Sequence, residues 1–338
     1  MEKEEKKSVA EIIISQFLKD VEESDTIPWT KPYNRYSAFN WYSKTQYRGI
    51  NRLILPFGEY LTYNQMVEYN KKNGTNYRYD KENGKWWYVT FFKKDTQDVG
   101  WVWANKNLPD EVLDGLSGDG KKYVREGKWL YIKDEEGNLI RTRNILRYSR
   151  VADRKFWVDP DTGESLPSRI ESGEVTIERF DAQNIYDSYI ERSGVKVLET
   201  SDIPCFVPLM DAVMLNKYAK DEEYWWATVF HELAHSTMMP DRLNREFYKY
   251  FVSKELDSSG VKESDIRAKE ECIAEIAASM VCSECNITKF ETSESKTYKN
   301  NVAYVQSWKK RVSDWGQSFI YIVSEAEKAY QYIMGAEY

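Results

Sequence analysis

The sequence predicts an α+β fold in two domains, and three observations carry that expectation. Apolar side chains recur at helical spacing near both ends of the 338 residues, as in SVAEIIISQFLKDVEE and QSFIYIVSEAEKAYQYI. Aromatic and β-branched runs such as KWWYVTFFKK and VKVLET read as strands. Between the halves, DPDTGESLPSRIESGE (159–174) has the proline, glycine and serine content of a linker. The expected division is an N-terminal domain over 1–160 with an insertion at about 95–145, a linker over 161–175 and a C-terminal domain over 176–338.

Taken in order, residues 8–23 put Val9, Ile12, Ile13, Phe17 and Val21 at helical period, and Ser8 with Glu11 has the spacing of a capping box. Pro28, Pro32, Gly49, Pro56 and Gly58 then exclude one long helix. TYNQMVEYNKKNG (62–74) predicts a short helix stopped by glycine, and KWWYVTFFKK (85–94) a strand. Within the insertion, WVWA, KWLYI and the turn EEGN suggest small strands or a hairpin, after which LRYSRVADRKFWV (146–158) reads as a returning strand. In the second half AQNIYDSYIERSG predicts a helix, and VKVLET and IPCFVPLMDAVML predict strands joined by tight turns. DEEYWWATVFHELAHST, RAKEECIAEIAASMVCSEC and the pair YKNNVAYVQSWKKRV and QSFIYIVSEAEKAYQYI predict further helices.

Composition narrows the class. A hydrophobic fraction of 41% with 15% aromatics supports packed cores and excludes disorder throughout. No apolar run approaches the roughly 18 to 20 residues that cross a bilayer, and the charged start shows no secretion signal, so a soluble cytoplasmic protein with no membrane partner is expected. Cys205, Cys272, Cys282 and Cys285 are too few and too clustered for a disulfide framework. The net charge of −7 is uneven: residues 1–150 hold 26 Lys+Arg against 22 Asp+Glu, and the remainder 22 against 33. A locally basic first half can meet a phosphate backbone whatever the total.

The sharpest chemical signal is HELAH. The only two histidines, His231 and His235, stand at i and i+4, which on a helix aims both imidazoles from one face, as a metal ion requires. Glu232 lies beside them, placed to take a proton from water, so the stretch has the logic of an H-E-x-x-H metal site. The order of elements around it is that of a small zincin-type domain. With no third histidine, the third ligand must be a carboxylate or, less readily, a cysteine. KEECIAEIAASMVC supplies one: Glu271 as ligand, with Glu275 one turn on as the carboxylate that orients a metal-bound histidine. Glu270 competes for the ligand role, because neighbouring helix positions differ by about 100°. The lone C-x-x-C of Cys282 and Cys285 reads as buried thiols. CFVPLMDAVML is expected to provide an edge strand for an extended peptide, and Tyr248, Tyr250, Tyr304 or Arg242 an oxyanion partner.

Thr26 to Gly58 contains no acid at all, while cations and aromatic rings interleave, the mixture that binds single-stranded nucleic acid. The candidate DNA-binding residues are Lys31, Arg35, Trp41, Lys44, Tyr47, Arg48, Asn51 and Arg52; a packed core would use the same aromatics.

Together PWTKP, YRGINRLIL (47–55), WWYVTFFKK, LRYSRV, FHELAH with PDRLNRE, KEECIAEIAASMVC and NNVAYVQSWKKRV resemble the ArdC-type antirestriction proteins of plasmids, conjugative elements and phages. The resemblance spans nearly the whole chain outside the insertion at 95–145. It implies an N-terminal domain that binds single-stranded DNA and a C-terminal zincin-like, gluzincin-type metallopeptidase domain, protecting incoming DNA from host restriction. It implies zinc on His231, His235 and Glu271, with Glu232 as the catalytic glutamate, and it matches Tyr47, Arg48, Gly49 and Asn51 to a YxGxN-like core. Met238, Met239 and Asn301 depart from it, standing where many relatives carry a Gly-His pair and a histidine. A host restriction or other defence protein is a second expected partner. The alternative is a non-catalytic binding factor whose zinc is structural.

Overall fold

Ser8 and Glu11 close the capping box that the sequence predicts: Glu11 N donates to Ser8 Oγ at 3.2 Å and Ser8 N to Glu11 Oε2 at 2.6 Å. From this cap runs α1 (Val9–Ser24). The structure, a computed structural model, describes residues 8–24, 38–93, 102–103, 122–126, 129–133, 145–176, 180–200, 203–216, 222–253, 263–287, 298–316 and 318–336. The chain forms two compact units, Met1–Val89 with Arg150–Tyr338, and Thr90–Ser149.

In the larger unit α1 is a core helix. Ile13, Ile14, Phe17 and Val21 share one hydrophobic cluster with Ile50 and Ile54 of α2 (Ile50–Ile54) and with residues from 185 to 333. Each such side chain contributes about 1.5–3 kcal/mol on burial. β1 (Phe39–Asn40), β2 (Glu59–Leu61), β4 (Trp86–Lys93) and β8 (Ile145–Asp153) make a sheet of order β1-β2-β8-β4, parallel at β1/β2 and antiparallel at β2/β8. α3 (Tyr63–Asn73) follows β2; Thr62 and Gln65 form its capping box, and Gly74 ends it in the left-handed conformation. β3 (Arg78–Tyr79) pairs with β9 (Trp157–Val158).

The strand expected over 146–158 is interrupted. Asp153 accepts from Lys155 N at 3.0 Å and starts a 3₁₀ turn at Arg154–Phe156, so the chain leaves one sheet and enters another. Residues 161–175, linker-like in composition, are pinned: Glu59 accepts from Ser168 Oγ at 2.5 Å, Arg169 N at 2.7 Å and Arg154 Nε at 3.1 Å, and Leu166 is fully buried. The smaller unit holds a three-stranded antiparallel sheet of β5 (Val102–Trp103), β6 (Lys122–Glu126) and β7 (Trp129–Lys133) in the order β5-β7-β6.

The rest of the larger unit is built to carry the site. α4 (Ala182–Ser193) leads into β10 (Lys196–Thr200), β11 (Cys205–Val207) and β12 (Ala212–Asn216), ordered β10-β12-β11. α5 (Glu222–Ser236), α6 (Glu246–Ser253), α7 (Glu263–Glu284), α8 (Tyr298–Trp315) and α9 (Ser318–Met334) follow. Ala227 and Ala234 of α5 and Ala274, Ala277 and Ala278 of α7 are all buried, and small side chains at a helix contact let the two axes approach closely. That approach sets His231 and His235 of α5 beside Glu270 and Glu271 of α7.

Candidate metal centre

α5 projects His231 and His235 from one face, one turn apart. Their Nε2 atoms lie 3.1 Å apart, with the rings nearly perpendicular and 4.7 Å between centroids. From α7, Glu271 Oε2 lies 3.5 Å from each Nε2. Ligands of one zinc at about 2.0–2.1 Å stand roughly 3.3 Å from one another in a tetrahedron, so the triangle has the size and the donor chemistry for a divalent metal. The three residues form a group able to hold a metal ion, with Glu271 exposed on its outer side.

The electrostatics favour a cation there. Hydrogen bonds from His231 and His235 hold the Glu271 carboxyl well below the ordinary carboxylate range, against the effect of burial. Burial alone would disfavour a charged His235, yet hydrogen bonds and charge from Glu270 and Glu271 push its pKa up to about 10. A metal ion competes with that proton for the same nitrogen. Glu232 is buried at 7% exposure and forms no hydrogen bond with the described residues, so its carboxylate is unspent.

The loop PDRLNRE closes the end of α5. Arg242 Nη1 donates to Ser236 O at 2.7 Å and its Nη2 pairs with Asp211 at 2.6 Å. Its side chain is fully buried, which removes it from the oxyanion role the sequence allowed. Tyr248 is half-buried on α6, and the side chain of Tyr304 lies outside the described residues. Arg245 reaches Ala234 O at 2.8 Å and forms a buried ion pair with Glu270. Burial would raise the Glu270 carboxyl, but the charge of Arg245 and the bond with His235 outweigh it and lower it.

Glu275 departs from expectation. It hydrogen-bonds neither histidine among the described residues; Nδ1 of His235 faces Glu270 Oε1 at 3.3 Å instead. The reason is helix phase: Glu271 and Glu275 share a stripe, whereas the His235 ring edge abuts the buried side of α7 where Glu270 sits, 3% exposed. Sequence reasoning missed Arg245; an arginine placed one loop beyond the motif, with two consecutive glutamates on the next helix, was the available signal. β11 is an edge strand packed beside α5 and antiparallel to β12, with the exposed Leu209 and Met210 following it. Cys272 and Cys282 are buried, and burial pushes the Cys285 thiol up to about 12.

The candidate DNA-binding residues separate by exposure. Lys44 and Arg48 are exposed, and Lys44 pairs with Glu174 at 2.8 Å. Trp41 is fully buried: its Nε1 donates to Pro167 O at 2.7 Å, Tyr69 packs edge-on at 4.8 Å, and the Arg169 guanidinium covers its face at 4.2 Å. Tyr47 accepts a hydrogen bond from Asn40 at 3.1 Å, and burial pushes its hydroxyl up to about 12. Asn51 is buried, and Arg52, with a side chain 7% exposed, pairs with Glu284 and stacks over Tyr330 at 4.8 Å. Trp41, Asn51 and Arg52 therefore shape the core in this conformation. Lys31 and Arg35 lie outside the described residues.

A family model described as a zincin-like metallopeptidase matches residues 184–320. Two crystal structures of the antirestriction protein ArdC from plasmid R388 share the fold at 18% identity: a metal-free form with a TM-score of 0.57 over 98% of this chain and 100% of that one, and an Mn(II)-bound form with 0.59 over 97% and 98%. The DNA primase TraC of Escherichia coli is 22% identical over 347 residues, which cover 99% of this chain and 20% of TraC, so the chain spans about a fifth of that relative. The chain thus has the α+β fold of the ArdC antirestriction structures, and the residues that match the zincin-like metallopeptidase model include a cluster suited to a divalent metal.

Proposed function

We propose that this protein is an antirestriction factor of a mobile element that binds single-stranded DNA through its first 160 residues and carries a zinc-dependent peptidase-type centre within 176–338. The convergence of His231, His235 and Glu271 beside the unspent carboxylate of Glu232 carries the reading. Two imidazoles and a carboxylate are a donor set that suits zinc, and the Mn(II)-bound form of ArdC supports a divalent metal more broadly. When bound, the ion supplies Lewis acidity, which makes water a nucleophile near neutral pH and polarises a carbonyl. Glu232 takes the proton of the attacking water and returns it to the leaving amine. Glu271, exposed on its outer side, leaves room for substrate, and the edge of β11 offers backbone groups to an extended peptide.

On the DNA side, Lys44, which pairs with Glu174, and Arg48 are the exposed cations among the described candidate residues, and Lys31 and Arg35 belong to the same acid-free stretch. The similarity to ArdC and to a primase supports DNA as partner, and a host defence protein is the proposed peptide target. No helix among the described residues is long and apolar enough to cross a membrane, which suits action in the host cytoplasm.

The deciding experiment transfers unmodified DNA into restricting cells that express either wild type or Glu232→Gln. Loss of protection with metal still bound supports the catalytic reading. Full protection by the variant sinks it and favours the non-catalytic alternative, in which the ion only staples α5 to α7; that its ligands come from two helices is the observation behind this second reading.

A further inference from the structure

We propose that Glu270 and Arg245 are positioning residues for the metal ion: Glu270 fixes the ring of His235 through Nδ1, and Arg245 fixes Glu270. The inference rests on the metal-binding reading above. At 3.3 Å from Nδ1, the Glu270 carboxylate accepts the ring N–H, which leaves the lone pair on Nε2, the nitrogen that faces His231 and Glu271.

Glu270 is in turn clamped. Arg245 Nε donates to Oε2 at 3.0 Å and Nη2 to Oε1 at 2.5 Å, a two-pronged pair that sets the plane of the carboxylate. The guanidinium also holds the backbone that bears the ring: Nη2 donates to Ala234 O at 2.8 Å, and Nη1 donates to Thr237 Oγ1, whose hydroxyl donates to Ala234 O at 2.7 Å. His235, Glu270 and Arg245 are 9%, 3% and 4% exposed, so water does not replace these bonds readily. The two histidines are therefore unequal, because Nδ1 of His231 has no such partner among the described residues.

Charge explains why a carboxylate alone would not serve. Arg245 cancels Glu270, which leaves the carboxylates of Glu271 and Glu232 to face a dication. A third uncompensated acid in this partly buried site would carry its full desolvation cost.

The test is zinc and Co(II) affinity by chelator competition on the full chain. Glu270→Gln is expected to weaken binding by about 10- to 100-fold, the range for partners of metal-bound histidines. Arg245→Lys should weaken it less, and Glu275→Gln should leave it unchanged. Wild type is compared first with His231→Ala. If wild type binds no more tightly, the metal reading falls and this inference with it. If wild type binds but Glu270→Gln equals it, or Glu275→Gln weakens binding as much, only the positioning role falls. The Co(II) absorption bands separate a changed ligand geometry from a general loss of stability.

Should Glu270→Gln fail to fold, wild type itself gives the answer, since the chain has only two histidines to resolve by ¹⁵N NMR. In the zinc-loaded protein the His235 Nδ1–H should be protected from exchange while that of His231 exchanges freely. Metal bound through Nδ1 of His235, or equal exchange of the two, overturns the proposal.

Discussion

Two stretches stand out by their residue types, HELAH with KEECIAE and the acid-free YRGINR, and the fold treats them in opposite ways. In the first, donor atoms from α5 and α7 converge with few partners except one another: two Nε2 atoms and a carboxylate oxygen lie within 3.5 Å, and Glu232, next to His231 in the chain, has no hydrogen bond among the described residues. In the second, apart from the exposed Arg48, the polar groups are largely taken up by the protein itself: Arg52 pairs with Glu284 and covers Tyr330, and the backbone N–H of Gly49 donates to Glu327. A side chain whose polar atoms are already satisfied is architecture. A cluster of ligating atoms aimed at one point, with few other partners, can take a cation.

The comparison breaks most directly at the metal. Replacing His231 or His235 by alanine is expected to cost more than the 100-fold that loss of a ligand's hydrogen-bonding partner costs, with Co(II) titration as the measurement. Retained affinity in either variant would place the ion elsewhere. Glu232→Gln should keep the metal and lower any peptide cleavage by about 10²–10⁴-fold, the share of a general base.

On the architectural side the measurable quantity is stability. Trp41→Ala should lower unfolding free energy by about 3–5 kcal/mol in urea melts, the cost of emptying a buried aromatic site. If Trp41 stacked on bases, the same substitution would leave the melt unchanged and weaken DNA binding. Arg52→Met should cost a similar 3–5 kcal/mol because it strands Glu284, whereas the Arg52→Met, Glu284→Met double variant should recover most of it.

Most of the architecture was legible because it follows local rules: the capping box at Ser8, the glycine stop at Gly74 and the helical period of α7 all form as the residues suggest. His231 and His235 were legible because i,i+4 spacing fixes their geometry before any tertiary contact forms. What the sequence hid depends on rotation and long-range partners. Glu270, Glu271 and Glu275 differ only by helix phase, which is set by how α7 packs on α5, so the residue facing His235 could not be chosen in advance. Arg245 and Trp41 are polar or amphipathic groups whose roles come from Glu270, 25 residues away, and Pro167, 126 away. The α2 turn at Ile50–Ile54 is too short to show a period.

At the exposed cations the expected effects are smaller. Charge reversal of Lys44 and Arg48 should weaken binding to single-stranded DNA and flatten its salt dependence, by roughly 0.7 in log–log slope for each phosphate no longer neutralised, read by fluorescence anisotropy over a salt series. An unchanged slope would move the DNA surface off this stretch.

The finest distinction concerns Glu174, which pairs with Lys44 at 2.8 Å and with Arg169 at 2.5 Å. Hydrogen bonds from Lys44 and then Arg169 lower its carboxyl to about 2, from an ordinary 4.5. Because the folded value lies below the unfolded one, the pair's contribution to stability is present above pH 4.5 and fades as pH falls toward 2. Melts of wild type and Glu174→Gln should differ slightly and constantly near neutrality and converge within that acid window; a gap that stays constant through the window would show the ion pair to be immaterial. The same substitution frees Lys44, so if that lysine meets phosphate, Glu174→Gln should bind single-stranded DNA more tightly at low salt, with the gain disappearing at high salt. Weaker binding would mean that Glu174 holds Lys44 in its working position, and no change would mean that Lys44 is surface charge alone.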